Sequence, residues 1–252
     1  MSADVDTGAP PFDPDSLQSR VPTERPREGG WVRRCIRTFV GVLRAPRTLV
    51  ERCPEPINHG AALRYLASLR LLPWLLLVGW LGASWVMAPQ REVAPSKGIH
   101  VFADPSLLEA SSVWLLLMVP VGMPLLYFVC GLISHVAVGL TGGASRSVGA
   151  SMRAVGYAMG PALLGVALVD FVLFTVGLDA VAFAGIVIVL LVVFLRGAAW
   201  GLAGTHQIHL VRALLVATLP AAVLLIAFVG RALPLLDDVP WLPEPSSPYV
   251  VP

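Results

Sequence analysis

Five long stretches of this 252-residue sequence contain no Asp, Glu, Lys or Arg, and they constrain the fold more than any other feature. They cover residues 71–90, 110–145, 154–169, 180–195 and 213–230. About 20 mostly apolar residues cross a bilayer core, so the third and fourth stretches span it only by tolerating Asp170 and Arg196. Only 13% of all residues are charged, against about 25% in soluble domains. The sequence therefore predicts an all-α polytopic membrane protein with five transmembrane helices.

The second stretch is long enough to raise the alternative of a helical hairpin and six spans. At about 1.5 Å per residue it would extend for roughly 54 Å, against a core of about 30 Å. Arginines and lysines concentrate on the cytoplasmic side of membrane proteins, and this rule decides between the models. Five spans place the arginines between residues 33 and 70 on the same side as four later ones: Arg146, Arg153, Arg196 and Arg212. Six spans would put the two groups of arginines on opposite sides of the membrane, so we expect five spans.

The predicted spans lie at about 68–88, 112–138, 155–178, 180–202 and 212–230. The N-terminus is then cytoplasmic and the C-terminus lies outside. We expect the second helix to begin outside the core at Asp104 and Pro105, which suit a helix cap and first turn. It should bend at Pro120 and Pro124.

The membrane domain, residues 61–231, is flanked by segments of different composition. Residues 1–30 contain six acids and five prolines, which predicts a disordered tail. This tail lacks the basic start and apolar stretch of a signal peptide, so we expect it to stay uncleaved. Residues 232–252 contain six prolines and predict an extended C-terminal tail.

Residues 31–60 form a juxtamembrane segment whose first part, from Trp31 to Cys53, predicts a basic amphipathic helix. Apolar residues recur at helical spacing, and arginines take the opposite side. Pro46 should divide this stretch into two short helices, because proline suits a first turn better than a helix interior. The pattern favours a helix lying on an anionic lipid surface, with packing against the rest of the protein as the alternative.

The segment from Leu140 to Pro161 carries a resemblance to a known family. It places a Gly142-Gly143 turn after a membrane helix, followed by a serine, a basic helix start and Tyr157-Ala158. In this respect the chain resembles the Yip-domain family, whose name stands for Ypt/Rab-interacting protein. Residues 42–47 and 201–213 resemble the family's segments before the first span and between the fourth and fifth spans.

The resemblance covers about residues 39–230 and implies the same five-span topology. No Tyr-Gly-Pro motif precedes the first span, although it typifies the eukaryotic members. Binding of a Rab-type GTPase is therefore not carried over to this chain. The resemblance implies a bacterial-type member in the cytoplasmic (inner) membrane, and the arginine-rich, lysine-poor composition agrees with that.

Ionisable residues inside a membrane are costly and are candidates for function. Five polar residues lie in or near the predicted spans: His135, Asp170, Arg196, His206 and His209. The expected depths of Asp170 and Arg196 differ by about 14 Å, which is too far for a direct ion pair. With no cation expected at its depth, Asp170 is predicted to be neutral and hydrogen-bonded, with a proton-relay role as the alternative. Arg196 should lie at the inner interface, where the three histidines can join it.

His206 and His209 would share one face of a helix, which makes a metal site conceivable. No third ligand is identifiable, so we predict no bound metal and no other cofactor. Interfacial histidines and a snorkelling Arg196 explain the same residues.

Two small-xxx-small patterns let helix backbones approach closely. They consist of Gly156 and Gly160 in the third span and Gly197 and Gly201 in the fourth. Packing within one chain is favoured over homodimerisation, because five helices in one chain offer many internal contacts.

The sequence contains no Ser-His-Asp order, no His-Glu-x-x-His motif and no glycine-rich phosphate loop, so we do not expect an enzyme. A net charge of +2 gives no basic surface for nucleic acid. The expected partners are the lipid bilayer and a protein of unknown identity, with a membrane-organising or protein-interaction role. The alternative is a small transporter or channel that uses Asp170 and the His/Arg cluster. An intramembrane enzyme ranks third.

Overall fold

The computed structural model describes residues 20–25, 29–51, 53–54, 57–87, 117–175, 178 and 180–232. Within this part the chain contains helices and turns and no strand. The helices are α1 (Trp31–Arg44), α2 (Pro46–Val50), α3 (His59–Met87), α4 (Met123–Leu140), α5 (Val148–Thr175), α6 (Ala180–His206) and α7 (Leu210–Ala232). The predicted all-α class is confirmed.

Five of these helical segments are long and apolar enough to cross a membrane, as predicted. The candidate spans are His59–Trp80, Met118–Leu140, Val148–Val172, Val181–His206 and Leu210–Val229. The first begins about nine residues earlier than the predicted start near residue 68, because the apolar pattern tolerates both Arg64 and Arg70. This difference moves Arg70 from the edge of the predicted span to the middle of the observed one.

The second span begins with an irregular turn. Residues Met118–Gly122 form a π-helical turn that leads directly into α4. Pro120 lies in this turn and has no amide N–H to donate, so the regular ladder of helical hydrogen bonds cannot continue through it. The expected start at Asp104 and Pro105 lies outside the described residues.

Helix α5 is at the centre of the bundle and packs against α3, α4 and α6. Its small residues allow these close contacts, and its span is more buried than the other four. Helix α7 completes the bundle by packing against α4 and α6. Helix α6 exposes five large apolar side chains, namely those of Val181, Ile186, Ile188, Val189 and Val192.

The juxtamembrane segment folds as two short helices. Helix α1 ends at Arg44 and α2 begins at Pro46, so the predicted break at Pro46 is confirmed. Both helices pack on the bundle, α1 mainly on α5 and α2 mainly on α6.

The predicted disordered tail is wrong for its described residues 20–25. Pro22–Glu24 form a short 3-10 turn, and Val21, Thr23 and Glu24 are buried. Composition favoured disorder because these residues are mostly polar, whereas tertiary contacts to α1 and α5 order them. Residues 1–19 and 26–28, and the C-terminal tail from 233 onwards, lie outside the described residues.

Candidate functional site: buried polar groups in the bundle

An ion pair joins α3 to α5 inside the bundle. Arg70 donates a hydrogen bond through Nη2 to Oδ2 of Asp170, and each side chain is only 2% exposed. Both residues lie within candidate spans. A carboxylate at such a position is costly unless it is paired, and the guanidinium supplies the compensating charge.

This pair corrects the expectation that Asp170 has no cation at its depth. The positive-inside rule groups Arg70 with the cytoplasmic arginines, because this residue directly precedes a charge-free stretch. In the structure α3 begins at His59, so Arg70 lies 11 residues, or about 16 Å, inside the helix. A signal was present in the sequence, since a single arginine between two apolar runs is compatible with one continuous helix.

A second polar cluster joins α4, α5 and α6 through Ser151. The Ser151 hydroxyl lies 3.0 Å from Nδ1 of His135 and 2.7 Å from Nε2 of His206. A hydroxyl has one proton, so it donates to one imidazole and accepts from the other. Ser151 is fully buried, which makes it a cross-link between helices rather than an accessible nucleophile.

The structure brings His135 and His206 together at Ser151, as predicted, whereas His209 does not bind that hydroxyl. Helix α6 ends at His206, and Gln207 has a positive φ of 55°. The chain therefore turns before His209, so the two imidazoles do not share a helical face. Among the described residues, no group of three or more His, Cys, Asp or Glu side chains could hold a metal ion.

Arg196 lies at the surface of α6 and contacts the juxtamembrane segment. It donates a hydrogen bond through Nη1 to the carbonyl oxygen of Leu43, near the end of α1. It does not join the Ser151 cluster. Its long side chain instead ties α1 to the bundle.

A third polar cluster anchors the N-terminal turn. Arg153 donates to Oε1 of Glu24 over 3.0 Å, and the Tyr157 hydroxyl donates to the same oxygen over 3.2 Å. Thr23 donates through Oγ1 to the Tyr157 oxygen over 3.0 Å. Removal from water raises the pKa of Glu24 above its ordinary value, and the positive charge of Arg153 opposes this shift.

The sequence does not predict this cluster. The positive-inside rule places Arg153 outside the predicted third span on the cytoplasmic side, yet the residue is buried in the second turn of α5. Arg153 and Tyr157 are four residues apart and so share a helical face, which is a local signal. Nothing local indicates that Glu24, which is 129 residues away, is their partner.

The four small-xxx-small glycines lie at helix contacts within the chain. A Cβ on Gly156 would overlap the ring of Tyr127, and one on Gly160 would overlap that of Tyr65. Gly197 and Gly201 face α5, where a Cβ would lie 3.2 Å and 3.5 Å from the Cβ atoms of Ala158 and Ala154. These glycines let α5 approach α3, α4 and α6 closely.

Comparisons of this chain with protein-family models, with curated proteins and with solved structures find no match.

Proposed function

We propose that this chain is a non-enzymatic membrane-organising protein of the Yip-domain type, of the bacterial kind. In this proposal it spans the cytoplasmic membrane with its N-terminus inside and interacts with lipid and with a protein partner. Helix α1 is the element that acts on the membrane, by lying in the cytoplasmic headgroup layer.

The proposal rests on a difference between two sides of α1, of which one is buried and the other is exposed. One side, formed by Cys35, Thr38 and Val42, packs on the bundle. A neighbouring stripe leaves Val32 70% and Ile36 58% exposed. A surface that combines exposed apolar groups with arginines suits the boundary between acyl chains and anionic headgroups.

Arginines adjoin this stripe. They are Arg33, Arg37 and Arg44, and all three are exposed. On a helix the stripe and the arginines occupy adjacent sectors, so the apolar groups can enter the lipid while the guanidinium groups reach the phosphates. Because α1 is fixed to the bundle, insertion would add area to one leaflet beside the spans.

The transporter alternative has weaker support. It uses Asp170 as a carrier group, whereas Asp170 is paired with Arg70 and both side chains are buried. A carrier carboxylate has to meet water during its cycle. The burial of both members of the pair agrees better with a scaffold.

Reconstitution tests the proposal with the full chain in vesicles that contain phosphatidylglycerol. We expect the wild-type chain to reduce vesicle diameter, as measured by electron cryo-microscopy, and Ile36→Gln to lose this effect. Thr48→Gln, at an exposed polar position of α2, is the matched control and should behave as wild type.

An unchanged vesicle diameter with the wild-type chain would contradict the membrane-organising role. Proton flux across the same vesicles that disappears in a folded Asp170→Asn variant would favour the transporter instead. The two measurements use one preparation, so they separate the two functions directly.

A further inference from the structure

A pocket opens between two turns at one end of the bundle. Residues 142–145, which follow α4, form one wall, and residues 206–209, between α6 and α7, form the other. Arg212 completes the lining, and the cavity volume is about 420 Å³. Ligand pockets in proteins have volumes of about 300–1,000 Å³. We call this cavity the loop pocket.

The lining of the loop pocket includes one permanent positive charge, that of Arg212. The guanidinium of Arg212 lies over the two glycines of the first wall, where a Cβ on Gly143 would be 3.2 Å from Nη1. None of the lining residues is acidic. Within the described part of the chain, Arg212 forms no ion pair and donates no hydrogen bond.

Arg212 is not needed to cap α4. Gly142 has a φ of +73°, and its amide donates to the carbonyl oxygen of Gly139 over 2.8 Å. The Gly143 amide donates to Val138, and the Thr141 hydroxyl donates to Ala137 and Val138. These bonds satisfy the carbonyl oxygens of Ala137, Val138 and Gly139, as in a Schellman motif. The guanidinium therefore stays available to another acceptor.

The position of Arg212 in its own helix points to an anion. It lies in the first turn of α7, where the helix dipole is positive and disfavours a cation. An anion in the pocket would be attracted by both the guanidinium and the helix start, and it would relieve their mutual repulsion.

The surroundings of the pocket indicate what carries that anion. Leu140 lies two residues before the first wall, and Val211 and Leu215 lie within one helical turn of Arg212. These three side chains are 85%, 59% and 66% exposed. Such side chains meet acyl chains when the bundle is in a bilayer. The pocket is also tied to the juxtamembrane segment, because Gln207 donates through Nε2 to Glu51 over 3.2 Å. Charged and apolar groups thus meet here at one end of the spans.

We propose that the loop pocket binds a phosphate group, and that the group belongs to an anionic membrane lipid whose acyl chains lie on the flanking apolar residues. Arg212 is the main phosphate ligand, because a guanidinium matches phosphate oxygens with two parallel hydrogen bonds. This assignment does not depend on the membrane-organising role proposed for α1.

The experiment measures lipid binding to the full-length protein in detergent by native mass spectrometry. The probes are phosphatidylglycerol, phosphatidylcholine and inorganic phosphate. We expect wild-type protein to prefer phosphatidylglycerol, and Arg212→Gln to weaken that binding by about tenfold, because a charge-assisted hydrogen bond is lost. Arg64→Gln, at an exposed arginine of α3, is the control and should bind nearly as wild type.

A second pair of variants leaves Arg212 in place. Ala144 lines the pocket with an exposed methyl group, so Ala144→Asp introduces a carboxylate that competes with phosphate. Ala144→Asn has the same shape without the charge. We expect phosphatidylglycerol binding to be about tenfold weaker in the Asp variant than in the Asn variant.

Equal binding by Ala144→Asp and Ala144→Asn would overturn the proposal, as would equal losses in Arg212→Gln and Arg64→Gln. Arg212-dependent binding of inorganic phosphate, with no preference for phosphatidylglycerol, would overturn the lipid assignment and identify a site for soluble phosphate compounds. Preference for phosphatidylglycerol that depends on both Arg212 and the charge at position 144 would support the proposal.

Discussion

Removal of either partner of the Arg70–Asp170 pair should destabilise the bundle strongly. Each side chain is 2% exposed, so a single substitution leaves the other charge buried without its counter-ion. Loss of one partner of a buried pair costs about 3–5 kcal/mol. We therefore expect Asp170→Leu and Arg70→Met each to lower the free energy of unfolding by that amount, which is roughly a thousandfold in the unfolding equilibrium.

The double variant should behave differently from the sum of its parts. Replacement of both charges by apolar groups of similar size leaves no unpaired charge and is often neutral or stabilising. The double variant should then have a stability within about 1 kcal/mol of wild type, although the two single losses would sum to roughly 6–10 kcal/mol. Asp170→Asn should fall between wild type and Asp170→Leu, because its amide oxygen still accepts a hydrogen bond.

Equilibrium unfolding in mixed detergent micelles, followed by tryptophan fluorescence, measures these free energies. Arg37→Met removes an exposed arginine and is the control, with an expected change within about 0.5 kcal/mol. Additive losses in the double variant would refute the reasoning, because they would mean that the two charges do not stabilise each other. An Asp170→Asn variant as stable as wild type would instead support the prediction of a neutral, hydrogen-bonded carboxyl at position 170.

Three further predictions concern other parts of the chain. Gly160→Ala should lower the free energy of unfolding by about 1–3 kcal/mol because the buried Tyr65 ring cannot move aside, whereas Gly139→Ala, with open space around the new Cβ, should be nearly neutral in the same unfolding assay. Burial raises the pKa of Glu24, so the folded chain binds its proton more tightly, and the free energy of unfolding should fall as the pH rises from 4.5 through the raised pKa. Glu24→Gln cannot titrate, so its free energy of unfolding, measured at several pH values, should lack this pH-dependent loss. In a cysteine-free background, Ser246→Cys should react with an impermeant thiol reagent in intact cells while Ser2→Cys and Ser145→Cys should not; reaction at position 145 from outside would contradict the predicted orientation.

Sequence alone predicted the elements that depend on local chemistry. Hydropathy indicated five spans because burial in lipid is decided residue by residue along one helix. The break between α1 and α2 followed from Pro46, because a proline removes a backbone donor wherever it occurs. The amphipathic pattern of α1 was equally visible, although it did not tell which part of that surface would pack on the bundle.

Only the tertiary structure decided which polar groups meet. Arg70 and Asp170 are 100 residues apart, and their contact depends on the axial offset and rotation of α3 against α5. The same holds for Ser151 between two histidines and for Glu24 against Arg153. The spacing of apolar residues describes one helix at a time and gives no information about where a neighbouring helix lies. The small residues of α5 allow the helices to pack closely, and this packing decides which helix faces meet. The polar pairs between helices can therefore be identified only from the tertiary structure.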